Sequence, residues 1–361
     1  MAGLLYSSPG VRQANRVLAA LVALISLRLL IYVFGFAGVY DDHPSIIFAP
    51  LDASLAFGPL LWLYVWRLTK ATLPRRLLWH FAPVGLQLLY LLVAFALPVE
   101  TKVRWYGTVH LDWIEPVGLI ANLVSGCCYA ALAWRRQQAY QQWLDERFAD
   151  RDQWRLGWIT AILLAFAVTV SIAAAAALVN AAVTPLDYFS RTPVVIATSL
   201  LAYVLGLLGW RHSALALPAQ EEAPASTKAE AQAASTEPSR PAAEFAQWAE
   251  VIDTRQWWRE EGLTLGDVAR RLGTSTRTLS RALSEGAGCN FNTFINGLRV
   301  EAVKRALLAG RSEDLLTLAL ESGFNSKASF NRAFLRHTGM TPSRWRSTAS
   351  QEPPIAPLGE R

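Results

Sequence analysis

The apolar blocks filling the first 217 residues constrain this chain most, because a bilayer core of roughly 30 Å accepts backbone only as helix or closed barrel. Six blocks of suitable length stand between charged borders, at residues 17–36, 46–66, 77–97, 116–134, 156–179 and 193–210. From Leu263 to Arg346 the pattern changes to short amphipathic helices with basic, polar faces. A chain carrying both has to work where its soluble half and a membrane share a compartment.

Composition excludes a wholly soluble protein, since 53% of the 361 residues are hydrophobic and the mean hydropathy is +0.24. The net charge of +6 suits nucleic acid or anionic headgroups. Cys127 and Cys128 are adjacent inside an apolar block and Cys289 stands alone, so neither a disulfide framework nor zinc-ligand spacing exists, and a reducing cytosol fits. His43, His80, His110, His212 and His337 are scattered, so no metal or other cofactor is expected. Without a nucleophile–base constellation, an enzyme is not expected either.

The positive-inside rule orients the blocks. Arg12 and Arg16 precede the first; Arg67, Lys70, Arg75 and Arg76 join the second to the third; Arg135, Arg136, Arg147, Arg151 and Arg155 join the fourth to the fifth. The alternate connections carry Asp41 and Asp42, a mixed set over 100–115, and Asp187 with Arg191. Basic connections belong in the cytoplasm, so the sixth block delivers the C-terminal half there. Trp66, Trp79, Trp134, Trp158 and Trp210 fall at one set of block ends, and Trp105 and Trp113 near the other. No small-residue cleavage site ends the first block before Asp41, so a retained span is expected. Residues 2–6 read as the end of a further apolar stretch, giving six spans, or seven with a truncated first one. Either count leaves the C-terminus inside.

Arg28 and Asp52 are the notable charges within the blocks. A charge at the bilayer centre costs about 2.5 to 3.5 kcal/mol on translocon scales, so both should face the bundle, as a structural pair or as contacts to a ligand. Residues 218–243 are rich in Ala, Pro, Glu, Ser and Thr and cannot offset their ordering entropy by burial. About 25 such residues form a tether with a root-mean-square reach of roughly 25 to 30 Å.

In LTLGDVARRLG, Leu265, Val268, Ala269 and Leu272 repeat at helical spacing, Thr264 is an N-cap and Gly273 a stop. A second helix starts at Ser275, with Leu279, Ala282 and Leu283 inward and Thr276, Arg277, Ser280 and Arg281 outward. That outer face suits a major-groove reader, because Arg forks onto guanine and Ser bonds either way; the blander alternative is a solvated helix face. The pattern then recurs: Leu315, Leu318 and Ala319 build a support helix, Gly323 and Phe324 turn, and Ser326 caps a helix. Phe330, Ala333 and Phe334 point inward there, while Lys327, Ala328, Asn331 and Arg332 point outward. Between the units, FNTFINGLRVEAVKRALLAG is amphipathic, with Phe294, Ile295, Leu298, Ala302, Leu307 and Leu308 on the apolar side. A strut of about 27 Å suits two recognition helices about 34 Å apart, one turn of B-DNA. Residues 264–346 hold thirteen basic against six acidic side chains, so the cationic excess lies where phosphates would be.

GFNSKASFNRAFLRHTGMTPSRWR, at 323–346, resembles the C-terminal signature of the AraC/XylS transcription regulators; NFNTFINGLRVEAVKRALL resembles their linker helix, and LTLGDVARRLGTSTRTLSRAL their first helix-turn-helix. The resemblance covers roughly residues 245–346. It implies that both recognition helices enter DNA, through Arg277, Ser280 and Arg281, and through Lys327, Ala328, Asn331 and Arg332; from the residues alone, Thr276 shares the outward face of the first helix, and Arg336, near the end of the second, is expected to meet phosphate. Gly323, Phe324, Phe330, Phe334, Gly339 and Pro342 match structural positions, while Ala328 stands where a polar residue is frequent. In hydropathy the apolar half resembles the spanning regions of a membrane-bound subset.

The expected architecture is all-α: a polytopic transmembrane bundle over 1–217 that acts as sensor, the linker over 218–243, the DNA-binding domain over 244–346 and a disordered tail over 347–361. The expected protein is a bacterial inner-membrane regulator, multi-pass, with its C-terminal domain in the cytoplasm. Its expected partners are double-stranded promoter DNA, the lipid bilayer, RNA polymerase, a small-molecule or membrane-derived signal, and a second copy of itself. The competing reading is a transporter or receptor whose C-terminal domain is a protein-interaction module.

Overall fold

The computed structural model describes residues 12–150, 154, 156–182, 190, 192–213, 217–218, 240–311 and 313–349. Every named element among them is helical, and the β pairing described is an isolated antiparallel bridge between Phe148 and Thr264. The chain forms two compact units, Met1–Tyr140 with Leu156–Glu222, and Gln141–Arg155 with Ala223–Arg361. The expected first domain therefore gives up residues 141–155 to the second.

The first unit contains α1 (Arg12–Phe36), α2 (Phe57–Thr69), α3 (Leu77–Phe95), α4 (Val99–Trp105), a π-helical segment (Tyr106–Ile114), α5 (Glu115–Arg147, whose end enters the second unit), α6 (Gly157–Ala182) and α7 (Thr192–Arg211). Five helices among the described residues are long and apolar enough to cross a membrane: Gln13–Phe36, Leu77–Phe95, Val99–Arg147, Gly157–Asn180 and Thr192–Arg211. α1 packs against α2 and α7, and α6 against α7. Leu18, Leu21 and Ile25 of α1 are buried at helical spacing. Large apolar side chains line the outer faces at the same spacing, among them Leu86, Leu89 and Val93, then Val117, Ile120 and Val124, then Ile196, Leu200 and Tyr203.

Two segments differ from expectation. Residues 46–66 are not one helix: 3-10 turns at Pro44–Ile46 and Ser54–Ala56 precede α2, which has only 13 residues. Pro50 supplies no N–H and disfavours helix at the residue before it. Phe48 has φ +67°, and the Asp52 carboxylate accepts from the Ser54 N–H at 2.8 Å, which starts the next turn. α2 is buried nearly all round, and Gly58 lets it approach Tyr129, because a Cβ there would lie 3.0 Å from that ring. The second difference lies between the third and fourth blocks, where the expected connection is helical and runs through the π segment into α5. Pro116 removes one ladder donor, and the widened turn before it accommodates the loss.

The second unit holds α8 (Arg240–Thr254), α9 (Leu265–Arg271), α10 (Thr276–Gly286), α11 (Phe291–Leu308), α12 (Leu315–Glu321), α13 (Lys327–Thr338) and α14 (Pro342–Ala349). α8 starts inside the expected linker, and α14 runs into the expected disordered tail, to Ala349. Residues 2–6, Arg151, Arg155, Asp187, Arg191, the linker over 219–239 and the tail over 350–361 lie outside the described residues. The unit has two cores. One collects Ile252, Trp258, Leu265, Val268, Leu279, Leu283, Phe291 and Ile295, and it includes Ala149. The other collects Val300, Val303, Leu318, Phe324, Phe330 and Phe334. α11 contributes to both.

Candidate nucleic-acid interface

Each helix-turn-helix unit is set by short-range chemistry. The Thr264 side chain accepts from the Asp267 N–H at 3.1 Å while the Asp267 carboxylate accepts from the Thr264 N–H at 3.3 Å, a reciprocal capping box for α9. Thr264, through its hydroxyl and its N–H, and Arg270 hold the Asp267 carboxyl below the usual carboxylate range. Gly273 takes φ +69° to end α9, and Ser275 caps α10 by accepting from the Thr278 N–H at 3.1 Å. Leu279, Ala282 and Leu283 are buried, which turns the opposite face of α10 outward.

The second unit repeats the arrangement. Asp314 caps α12 and Ser326 caps α13. Phe330 packs edge-on against both Phe324 and Phe334, at 5.4 Å and 5.5 Å between ring centroids. Gly323 is required twice over: its φ is +86°, and a Cβ would lie 2.6 Å from the Arg259 carbonyl oxygen. Glu301 of α11 binds Lys304 at 2.7 Å and His337 of α13 at 3.1 Å.

The structure places the candidate reading residues on two faces. On α10, Arg277 and Arg281 are exposed and Thr276 and Ser280 half-buried; on α13, Lys327, Ala328, Asn331, Arg332 and Arg336 are all exposed. α11, the strut between the units, has 18 residues. At 1.5 Å per residue its length is about 27 Å. Arg28 and Asp52 belong to the first unit, where Nε and Oδ2 approach to 3.5 Å.

Two groups were not legible as functional from the sequence. The first is Arg299, which counts there only toward the basic surplus, yet its side chain is 0% exposed. It donates to Asp150 Oδ1 at 2.6 Å and Oδ2 at 3.4 Å, to the carbonyls of Trp258 at 2.7 Å and Glu260 at 2.9 Å, and to Asn296 Oδ1 at 3.4 Å. That satisfies all the donors a guanidinium offers. The available signal is its position, four residues from both Ile295 and Val303 on a buried stripe. The second is the end of α5, where Glu146 and Arg147 line a groove together with Thr276, Arg277, Ser280 and Arg281.

Two capped helix-turn-helix units on a common strut, each with an exposed polar or basic helix face, define a DNA-binding module of the AraC type. A helix-turn-helix domain family matches residues 268–348. A probable transcription factor, PqrA of Proteus vulgaris, is 31% identical over 96 residues, 26% of this chain and 77% of that protein. An uncharacterized HTH-type transcriptional regulator of Staphylococcus aureus strain COL is 34% identical over 97 residues, 27% of this chain. The chain spans about 13% of the length of that regulator. No solved structure matches. Through this C-terminal domain the chain belongs to the helix-turn-helix transcription regulators.

Proposed function

We propose that the protein is a membrane-anchored, sequence-specific transcription regulator whose helical bundle senses a small-molecule or membrane-derived signal and whose C-terminal unit reads promoter DNA in the bacterial cytoplasm. The observation that carries the DNA-binding part is the duplicated unit, since α10 and α13 both bury one apolar stripe and present polar or basic side chains opposite it. Arg277, Ser280 and Arg281 on one helix and Lys327, Asn331 and Arg332 on the other suit base edges and phosphates.

Membrane anchoring is supported by the apolar stripes exposed on the five long helices. Charge distribution adds a constraint. With five crossings, basic Arg16 and the C-terminal unit would lie on opposite sides, so a sixth crossing is required to keep both in the cytoplasm. α2 supplies about 20 Å of it. The broken segment before α2, sheltered inside the bundle, supplies the remainder, as in discontinuous spanning helices. Arg28 and Asp52 lie at that break, which marks it as the place for a signal to act.

The test is a selection from random duplexes using the full chain in lipid nanodiscs, repeated at two salt concentrations. Enrichment of a common sequence with salt-dependent affinity supports the reading. Absence of salt-dependent binding refutes it and leaves the interaction-module alternative. Reporter fusions after Asp42 and after Trp210 should report opposite sides, and matching sides refute the topology.

A further inference from the structure

Residues 146–150, close to where α5 ends, are bound by the DNA-binding unit as though by a receptor. Asn292 donates to the carbonyls of Phe148 at 3.1 Å and Ala149 at 2.6 Å, and Asn296 donates to Ala149 at 3.1 Å. The Ala149 N–H donates to the Leu263 carbonyl at 3.1 Å, and the Gly262 N–H to Asp150 Oδ2 at 2.9 Å. Arg299 completes the cradle on Asp150. Three polar side chains at positions i, i+4 and i+7 of α11 thus point at one short stretch, and Asn292 and Arg299 are buried doing so. Burial of polar side chains is tolerated only when their bonds are made, so this surface is built for a backbone strap ending in a carboxylate. At the start of the strap, Glu146 and Arg147 share the groove along the reading face of α10.

We infer that residues 146–150 are an intramolecular latch that excludes duplex DNA from the first recognition helix. The inference rests on the DNA-binding reading above. A duplex seated against Arg277 and Arg281 would need the space that Glu146 and Arg147 occupy, so docking of the strap and of DNA compete. The strap takes in the last two residues of α5 and the first residues of the connection to α6, both membrane-length helices, and a signal that changes how those helices end acts on it directly. This is a two-state element biased from one side by the bundle and from the other by the operator.

The experiment uses the full chain in nanodiscs and, as probe, a fluorescein-labelled pool of random-sequence duplexes about 40 base pairs long. Asp150→Asn keeps the shape of the side chain and weakens the contact to Arg299, and it should raise duplex affinity about tenfold by destabilising the closed state. Glu146→Ala with Arg147→Ala, both exposed positions outside the core, should shift affinity in the same direction. Hydrogen exchange on the wild-type chain should show the Ala149 amide protected alone and deprotected when duplex is added. If both variants bind as wild type does and Ala149 stays protected on DNA, the strap is a fixed part of the unit and the latch is overturned while the DNA-binding reading stands. If neither wild type nor variants bind, both fall together.

Discussion

Arg299 and Asp150, 149 residues apart in the chain, form an ion pair of 2.6 Å with side chains 0% and 2% exposed. Breaking a buried pair leaves one charge uncompensated, which costs more than the pair contributes by existing. Asp150→Ala should lower the thermal stability of the C-terminal unit by about 3 kcal/mol, the low end for such an orphan, because the carbonyls of Trp258 and Glu260 remain. Adding Arg299→Met should cost less than the two single losses combined. Additivity in calorimetric unfolding would show the pair to be uncoupled.

Gly323 is the sharpest backbone requirement in the unit. An alanine there meets the left-handed penalty of about 1 to 2 kcal/mol and must also push aside the Arg259 carbonyl. Gly323→Ala should therefore destabilise the unit by at least about 2 kcal/mol. Gly266, in normal helical backbone, gives a contrast: its added Cβ would meet only the Thr264 hydroxyl oxygen, at an ordinary 3.6 Å. Equal losses in parallel thermal melts would refute the backbone argument.

The capping box gives a pH dependence of known sign. Thr264 and Arg270 hold the Asp267 carboxyl below its ordinary value of 3.8, so the folded state favours the charged form. That contribution is complete above the ordinary carboxylate range and is lost as pH falls through the lowered folded value. Asp267→Asn should reduce stability at neutral pH and lose less between about pH 5 and pH 2 than wild type does. Parallel acid-unfolding curves for the two proteins would contradict this.

Within the bundle, Arg28 and Asp52 are 3.5 Å apart, and Asp52 also accepts from the Ser54 N–H. Asp52→Asn keeps an acceptor for Ser54 while removing the charge, so it isolates the pairing. With Arg28→Gln it should give a coupling of about 0.5 to 1 kcal/mol in detergent-extracted unfolding. Zero coupling would show that the charges act independently.

What the sequence made legible is what local chemistry decides. Thr264, Ser275 and Ser326 announce helix starts, Gly273 and Gly323 announce turns, and the stripes Leu279, Ala282, Leu283 and Phe330, Phe334 announce buried faces. The linker helix is less legible. Ile295 is buried as expected, but Leu308 is 67% exposed, while Val300 and Val303 fill the second core. One helix serving two cores rotates its buried face along its length, so a single stripe misplaces its end. Residues 46–66 look continuous because hydropathy counts side chains and overlooks the missing N–H of Pro50 and the bond that the Asp52 carboxylate accepts from the Ser54 N–H. Asp150 was beyond reach, since nothing local to it indicates a partner so distant in the chain.

The reading faces make the most direct functional prediction. Arg281 is exposed midway along α10, on the face opposite Leu279 and Leu283, where a guanidinium meets base edges if the helix enters the major groove. Arg336 lies in the last turn of α13, where a recognition helix leaves the groove and passes the phosphates. Arg281→Ala should therefore cost about 1 to 3 kcal/mol on the selected duplex and relax preference at one base pair. Arg336→Ala should weaken all duplexes alike and reduce the salt slope by about one. Titration of the full-length variants against the selected duplex and its single-base changes separates the two roles. If Arg281→Ala lowers affinity uniformly with a flatter salt slope, Arg281 binds phosphate and another side chain of α10 reads the base.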